Sequence, residues 1–360
     1  WVSPSTRAKT VNPPRVISIS RIWRLQEPRR GKERLKAMHN GMEIVFEPVI
    51  LRADQMQRKQ FYLRVSKRLF VHERFGQDDW ATQLAARHHP RGERYDVPAA
   101  VRAVVHASER PGSVVCGFSA LALYRLPYLV EGADTTLRAA VRATVPASTF
   151  RPAVARLRAP HTETWTLTHR GVPIRAATPA RATIQALQQI RAGEHSWQTE
   201  PIPGVAAEVV RAVQLVDCVR RHLGLQVPEL QRVAAGQLSK RWLSKVLNLS
   251  RGTADSPKET ELRLLLQPVV EKYNLTLVEQ YPLVVGGRVV TTFDFAIPEL
   301  KLGIMYDGSH HWTYDQRQLD TSINLTSMLH GWTVPRTASK SMRQCVEVVE
   351  AVLKQKLGIR

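Results

Sequence analysis

The sequence predicts an α/β chain of α+β type, built from more than one domain. Three observations carry that expectation. The 360 residues suffice for two or three domains with a sizeable core, and 43% of them are hydrophobic, which excludes wholesale disorder. Strong helix starts, Thr178-Pro179-Ala180-Arg181 and Ser256-Pro257-Lys258-Glu259, alternate with short apolar runs of period two. The stretch Thr291–Trp312 reads as two strands, around Phe293, Phe295 and Ile297 and around Leu300, Leu302 and Ile304, joined by a tight turn at Pro298-Glu299.

Composition narrows the function class. Lys and Arg number 52 against 31 Asp and Glu, a formal charge of +21, so the expected large partner is a polyanion, with nucleic acid ahead of an anionic membrane surface or the ribosome. No apolar run is long enough to span a bilayer; the best candidate, Val114–Val130, is broken by Arg125 and Pro127, and a membrane partner is not expected. Cys116, Cys218 and Cys345 lie far apart in apolar contexts. They read as core residues in a reducing cytoplasm, with neither a zinc ribbon nor a disulfide framework. No phosphate-cradling glycine loop, dinucleotide motif or internal repeat is present.

In chain order, residues 1–41 form a basic, proline-containing leader without periodicity, read as either an over-extended reading frame or a nucleic-acid-binding arm. Residues 42–95 form the next unit. A helix over Gln57–Ser66, then a strand over Arg68–His72 and a turn at Gly76, predicts a small winged-helix-like domain. Arg58, Lys59, Arg64, Lys67 and Arg68 would give it a basic face for phosphates, although a charged face is more often simply solvated. His88-His89 is expected in a solvated boundary turn.

Residues 96–250 read as mixed α/β followed by helices: a helix Pro98–His106, another at Ala120–Tyr124, strands at Leu137–Val145, Thr164–Thr168 and Gly171–Arg175, and a helix capped by Thr178 with Pro179 in its first turn. Further helices are expected over Val205–Leu223, Val227–Ala235 and Gln237–Ser250, with Asp217 as a surface or capping partner of Arg220 or Arg221. Gly117-Phe118-Ser119-Ala120 through Leu126-Pro127, then Gly171-Val172-Pro173-Ile174-Arg175 and Thr178-Pro179-Ala180-Arg181-Ala182-Thr183, resemble AbiEi-type antitoxins of type IV toxin–antitoxin systems over about Glu47–Gly236. That resemblance implies promoter binding by the N-terminal winged helix and a cognate toxin as partner. Arg181 is expected in a buried structural pairing.

Residues 251–360 form the last unit: a helix capped by Ser256, with Glu259 reaching back and Pro268 kinking or ending it; strands at Leu275–Leu283, Arg288–Ile297 and Leu300–Tyr306; a helix Asp315–Leu329; and a short strand Trp332–Arg336. Asp294 and Asp307 would lie near one edge, followed by Gly308, His310 and His311, residue types that hold a divalent cation and move protons at a phosphodiester. An Asp-Gly turn and a solvated aspartate are the plainer explanation of the same residues. Ser256–Arg263, Phe293–Glu299, Tyr306–Trp312, Asp320 and Gly331–Val334, in this order, resemble the PD-(D/E)XK restriction-endonuclease-like fold, in the branch of the very-short-patch repair endonucleases and an uncharacterised actinobacterial family. The resemblance implies metal-dependent DNA strand cleavage, with Asp294 and Asp307 on magnesium, His311 as proton donor or acceptor, and Glu259 as outer ligand or water-mediated base. Two positions depart from the pattern. Met305 stands where many relatives carry a second metal-binding acid, as the short-patch branch also lacks, and Ile323 stands where an arginine opens the following helix. These departures leave a second expectation, a non-catalytic regulator with a disabled nuclease unit.

Overall fold

The structure is a computed structural model that describes residues 49–56, 59–157, 163–308 and 323–359. Among the described residues three β-sheets are joined by helices. In the first, β1 (Leu51–Arg52) and β2 (Tyr62–Arg64) flank β3 (Leu69–His72), all antiparallel. The helix expected over Gln57–Ser66 is not formed by the described part of that span: Lys59–Phe61 makes one 3-10 turn and β2 follows. Phe61-Tyr62-Leu63-Arg64-Val65 is aromatic and β-branched, and pairing with β3 buries Val65 and Val71 in a small cluster with Val97, Val101 and Val105. That tertiary gain outweighs the helical preference of a basic run. Among the described residues the first α-helix, α1 (Asp79–His88), follows this strand pair.

Helix α2 (Ala99–Ser108) leads into a five-stranded mixed sheet of order β6-β5-β4-β8-β7, formed by β4 (Val114–Val115), β5 (Thr136–Ala139), β6 (Ala153–Arg156), β7 (Thr164–His169) and β8 (Val172–Ala177). Helix α3 (Gly117–Leu123) and α4 (Pro179–Arg191) pack together beside it. Thr178 caps α4 with its hydroxyl on the Arg181 amide, and Pro179 occupies the first turn, as the spacing predicts. Arg181 lies 3.8 Å from Glu163 in a partly exposed pair. The His88-His89 turn differs from expectation. His89 is buried, its Nε2 3.1 Å from Asp134 and its Nδ1 accepting the amides of Arg91 and Glu93, so its polar atoms find partners within the fold rather than in water.

Helices α5 (Ala207–Leu223), α6 (Val227–Ala234) and α7 (Lys240–Leu249) connect this region to the C-terminal unit. There α8 (Pro257–Lys272) precedes an antiparallel run of β9 (Val278–Val285), β10 (Arg288–Ile297) and β11 (Leu302–Tyr306). A helical stretch at 323–329 follows, then β12 (Arg336–Thr337) parallel to β11, and α9 (Met342–Leu357). The sheet order is β12-β11-β10-β9. Pro268 neither ends nor replaces α8, which runs four residues beyond it because its flanks pack on α5 and α9. All three cysteines are buried and free, as expected.

One continuous core joins the middle region, α5–α8, α9 and one face of the C-terminal sheet through Phe295, Ile297, Leu302 and Ile304. The opposite face carries a smaller cluster of Leu283, Phe293, Ala296 and Trp332. Gly303 on β11 makes the second cluster possible. A Cβ there would lie 2.7–2.8 Å from three ring carbons of the fully buried Phe293. Gly303→Ala is therefore expected to lower unfolding free energy by about 1–3 kcal/mol in urea titration, the cost of overpacking; an unchanged midpoint would refute that tight fit.

Candidate acid centre of the C-terminal sheet

The first turn of α8 organises a carboxyl group. The Ser256 hydroxyl accepts the Glu259 amide at 3.3 Å and donates to Glu259 Oε1 at 2.8 Å, while Oε2 accepts the Asp255 amide at 2.8 Å. The reciprocal cap expected from Ser256 and Glu259 is thus present, with the backbone contact one residue earlier than the usual capping box. Glu259 is buried, 7% exposed, and Gln280 Nε2 lies 3.5 Å from its Oε2, the outer limit of a hydrogen bond.

Asp294 comes from β10, inside the sheet. Its Oδ2 accepts the Tyr306 amide of β11 at 2.6 Å, so the carboxylate replaces part of the ladder between the two strands. Burial pushes its pKa from 3.8 up to about 6, against that hydrogen bond, and the charges of Asp255 and Asp307 push the same way. Glu259 is pushed from 4.5 up to about 8, first by burial and then by the Asp294 charge. Asp294 therefore ionises first, and between these values the two carboxyl groups carry one proton between them.

Asp307 follows β11 at the same end of the sheet, as the hairpin predicts, but its carboxylate is taken by a base. Arg336 of β12 donates from Nε to Oδ2 at 3.0 Å and from Nη2 to Oδ1 at 2.6 Å. Its Nη1 lies 3.7 Å from Met305 Sδ. Asp294 lies close enough to both acids to feel or exert their charge: Asp307 raises the pKa of Asp294, and Asp294 raises that of Glu259. Among the described residues no group of three or more His, Cys, Asp or Glu side chains is disposed to hold a metal ion. His311 lies outside the described residues, as do His310 and Asp320.

The basic face expected at the N-terminus is only partly assembled. Arg58 and the Lys59 side chain are outside the described set. Arg64 turns back onto its own loop, donating to the carbonyls of Ser66 and Lys67 at 2.9 and 3.3 Å, and stacks over Phe150 at 4.8 Å. Lys67 and Arg68 are exposed side by side at the tip of the β2–β3 hairpin.

Reading the sequence missed Arg336 and Gln280. Arg336 sits in a short run whose strand character was visible, but nothing in its spacing pairs it with Asp307, 29 positions earlier. Gln280 carries no motif at all. Among the described residues no helix is long and apolar enough to cross a membrane. No family model matches this chain, and no curated protein or solved structure matches it.

Proposed function

We propose that this chain binds DNA and that its C-terminal unit is restriction-endonuclease-like, with Glu259 and Asp294 as the hydrolytic pair. The observation that carries the reading is the convergence of these two carboxyl groups, from the first turn of α8 and the middle of β10, in a site where both titrate near neutrality. The order of elements supports it: a helix, three antiparallel strands, a helical stretch, and a strand parallel to the third. Glu259 and Asp294 would hold a magnesium ion, which needs only one or two protein carboxylates when water and phosphate complete its shell. When bound, it would lower the pKa of an attacking water and offset charge at the phosphate. Asp294 supplies the fixed negative charge, and Glu259 gives up its proton as the ion enters, so affinity should rise with pH. Tyr306, through its backbone amide, keeps the Asp294 carboxylate turned into the site.

A second reading is favoured by the Arg336 pair with Asp307 beside Met305: a fixed guanidinium stands where a second acid would be needed, and the unit binds DNA or a protein without cutting. In that reading the chain is an antitoxin-type regulator with a cognate toxin, and the exposed Lys67 and Arg68 supply phosphate contacts. Both readings place the chain in the cytoplasm.

The test is nicking of supercoiled DNA with magnesium or manganese, together with binding measured across a salt series. Cleavage by the wild type, falling at least about a hundredfold in Asp294→Ala, is the expected result. Salt-sensitive binding without cleavage by either protein would move the conclusion to the regulator, and Lys67→Ala with Arg68→Ala should then weaken binding and flatten its salt dependence.

A further inference from the structure

Strand β9 breaks its own alternation beside the acids. In a regular strand, successive side chains point to opposite faces. Here Glu279 Oε2 lies 3.6 Å from Arg263 Nε, and its neighbour Gln280 reaches Glu259 at 3.5 Å. Two consecutive residues thus address points about one turn apart on the same helix, α8. Gln280 achieves this with a φ of +50°, in the left-handed region that glutamine rarely adopts. The pairs Tyr281↔Phe293 and Glu279↔Phe295 bracket it, which sets Gln280 opposite Asp294. The partner strand changes face at the same place: Phe293 packs on Trp332, with ring centres 5.0 Å apart, whereas Phe295 joins the core that contains Leu262 and Leu266 of α8. Backbone strain of this kind persists only where the surroundings over-determine it, and it concentrates at functional sites.

We propose that Gln280 is a positioning residue of the acid centre, its strained backbone serving to aim the carboxamide at Glu259 opposite Asp294. The inference rests on the reading of Glu259 and Asp294 as the hydrolytic pair. A carboxamide suits the task because it donates a hydrogen bond without a charge. It restrains the Glu259 carboxyl yet leaves the negative charge of the pair available to a cation, which a lysine or arginine would cancel. The competing explanation is that the strain serves only to place Glu279 against Arg263. Gln280→Gly separates the two: glycine takes a φ of +50° freely, so Glu279 stays in place and only the amide is lost.

The experiment compares full-length wild type and Gln280→Gly in three measurements: Tm, Mn2+ affinity by electron paramagnetic resonance, and kcat and KM for nicking supercoiled DNA. The expected result is a Tm at or above wild type, Mn2+ affinity and kcat each lower by about tenfold or more, and KM unchanged. Wild-type affinity and kcat in a variant of undiminished Tm would overturn the inference and leave the hydrolytic pair standing. A wild type that neither binds Mn2+ nor nicks DNA would overturn both, and is recognised before any variant is made. Should glycine lower Tm, Gln280→Glu decides, since it preserves shape but adds a carboxyl; an unshifted pH–rate profile in that variant would also overturn the inference.

Discussion

Asp217→Ala is expected to destabilise the fold by about 3–5 kcal/mol in urea unfolding, the cost of leaving a buried charge without its partner. The site is not the surface pairing with Arg220 or Arg221 that helical spacing predicts. Asp217 is 1% exposed, and its Oδ2 accepts from Arg263 Nη2 and from the Thr260 hydroxyl, both at 3.0 Å. Its Oδ1 accepts the Ser250 hydroxyl at 2.6 Å and the amides of Arg251 and Gly252 at 2.9 and 3.1 Å. One carboxylate therefore ties α5 to the end of α7, to the connecting turn and to α8. Alanine would leave the Arg263 guanidinium, which is nearly as buried, with only the Leu249 carbonyl and the longer Glu279 contact, and would leave two backbone amides without their acceptor. Gly252 completes the turn at a φ of +73°, where a Cβ would lie 2.8 Å from that of Arg220. The exposed pair of Arg94 with Asp79 is the contrast: Asp79→Ala should leave the unfolding midpoint nearly unchanged. Equal effects at the two sites would mean that the buried network contributes little.

The stability of wild type relative to Glu259→Gln is expected to fall as pH rises from about 4.5 to about 8. The sign follows from proton counting. Glu259 holds its proton up to about pH 8 in the folded chain, whereas an unfolded glutamate releases it near 4.5. Between those values the folded state binds more protons, so stability decreases with pH, levelling off above the folded value. At about 1.4 kcal/mol per pH unit the full loss is on the order of 5 kcal/mol. Asp294 adds to it in the same direction between 3.8 and about 6. His195 works the other way within the same range, since burial lowers its pKa from 6.5 to about 4, and Asp134 works the other way lower still: its pKa is held down to about 2, against its burial, by hydrogen bonds from His89, Tyr95 and Arg91, so its contribution is lost only on acidification below 3.8. Urea titrations at pH 5, 7 and 9 decide the matter, with the glutamine variant the more stable protein at pH 9. Parallel stability profiles for the two proteins would show that Glu259 is not the group responsible. If the pair holds magnesium, adding the ion at pH 9 should stabilise wild type and leave the variant nearly unchanged.

The amino-acid sequence by itself determined the mixed α/β class, the capped starts of α4 and α8, the antiparallel order of β9, β10 and β11, and the burial of the cysteines. It also brought Glu259 and Asp294 forward as candidates. These features depend on rules that act over a few residues: a serine or threonine before a proline, alternation of apolar positions, a turn between two strands. Tertiary structure alone decided the rest. Tyr62–Arg64 became a strand because β3 and α2 offered burial that an isolated helix would lack. Asp217 became a buried ion-pair partner because Arg263, on another helix, packs over it, and Asp307 acquired a guanidinium partner because β12 delivers Arg336 to it. The positive φ of Gln280 coincides with contacts from Glu279 and Gln280 to Arg263 and Glu259 of α8, and no local motif announces it. Charge pairing and strain are settled by whichever groups folding brings within a few ångströms, and that distance bears no fixed relation to separation along the chain.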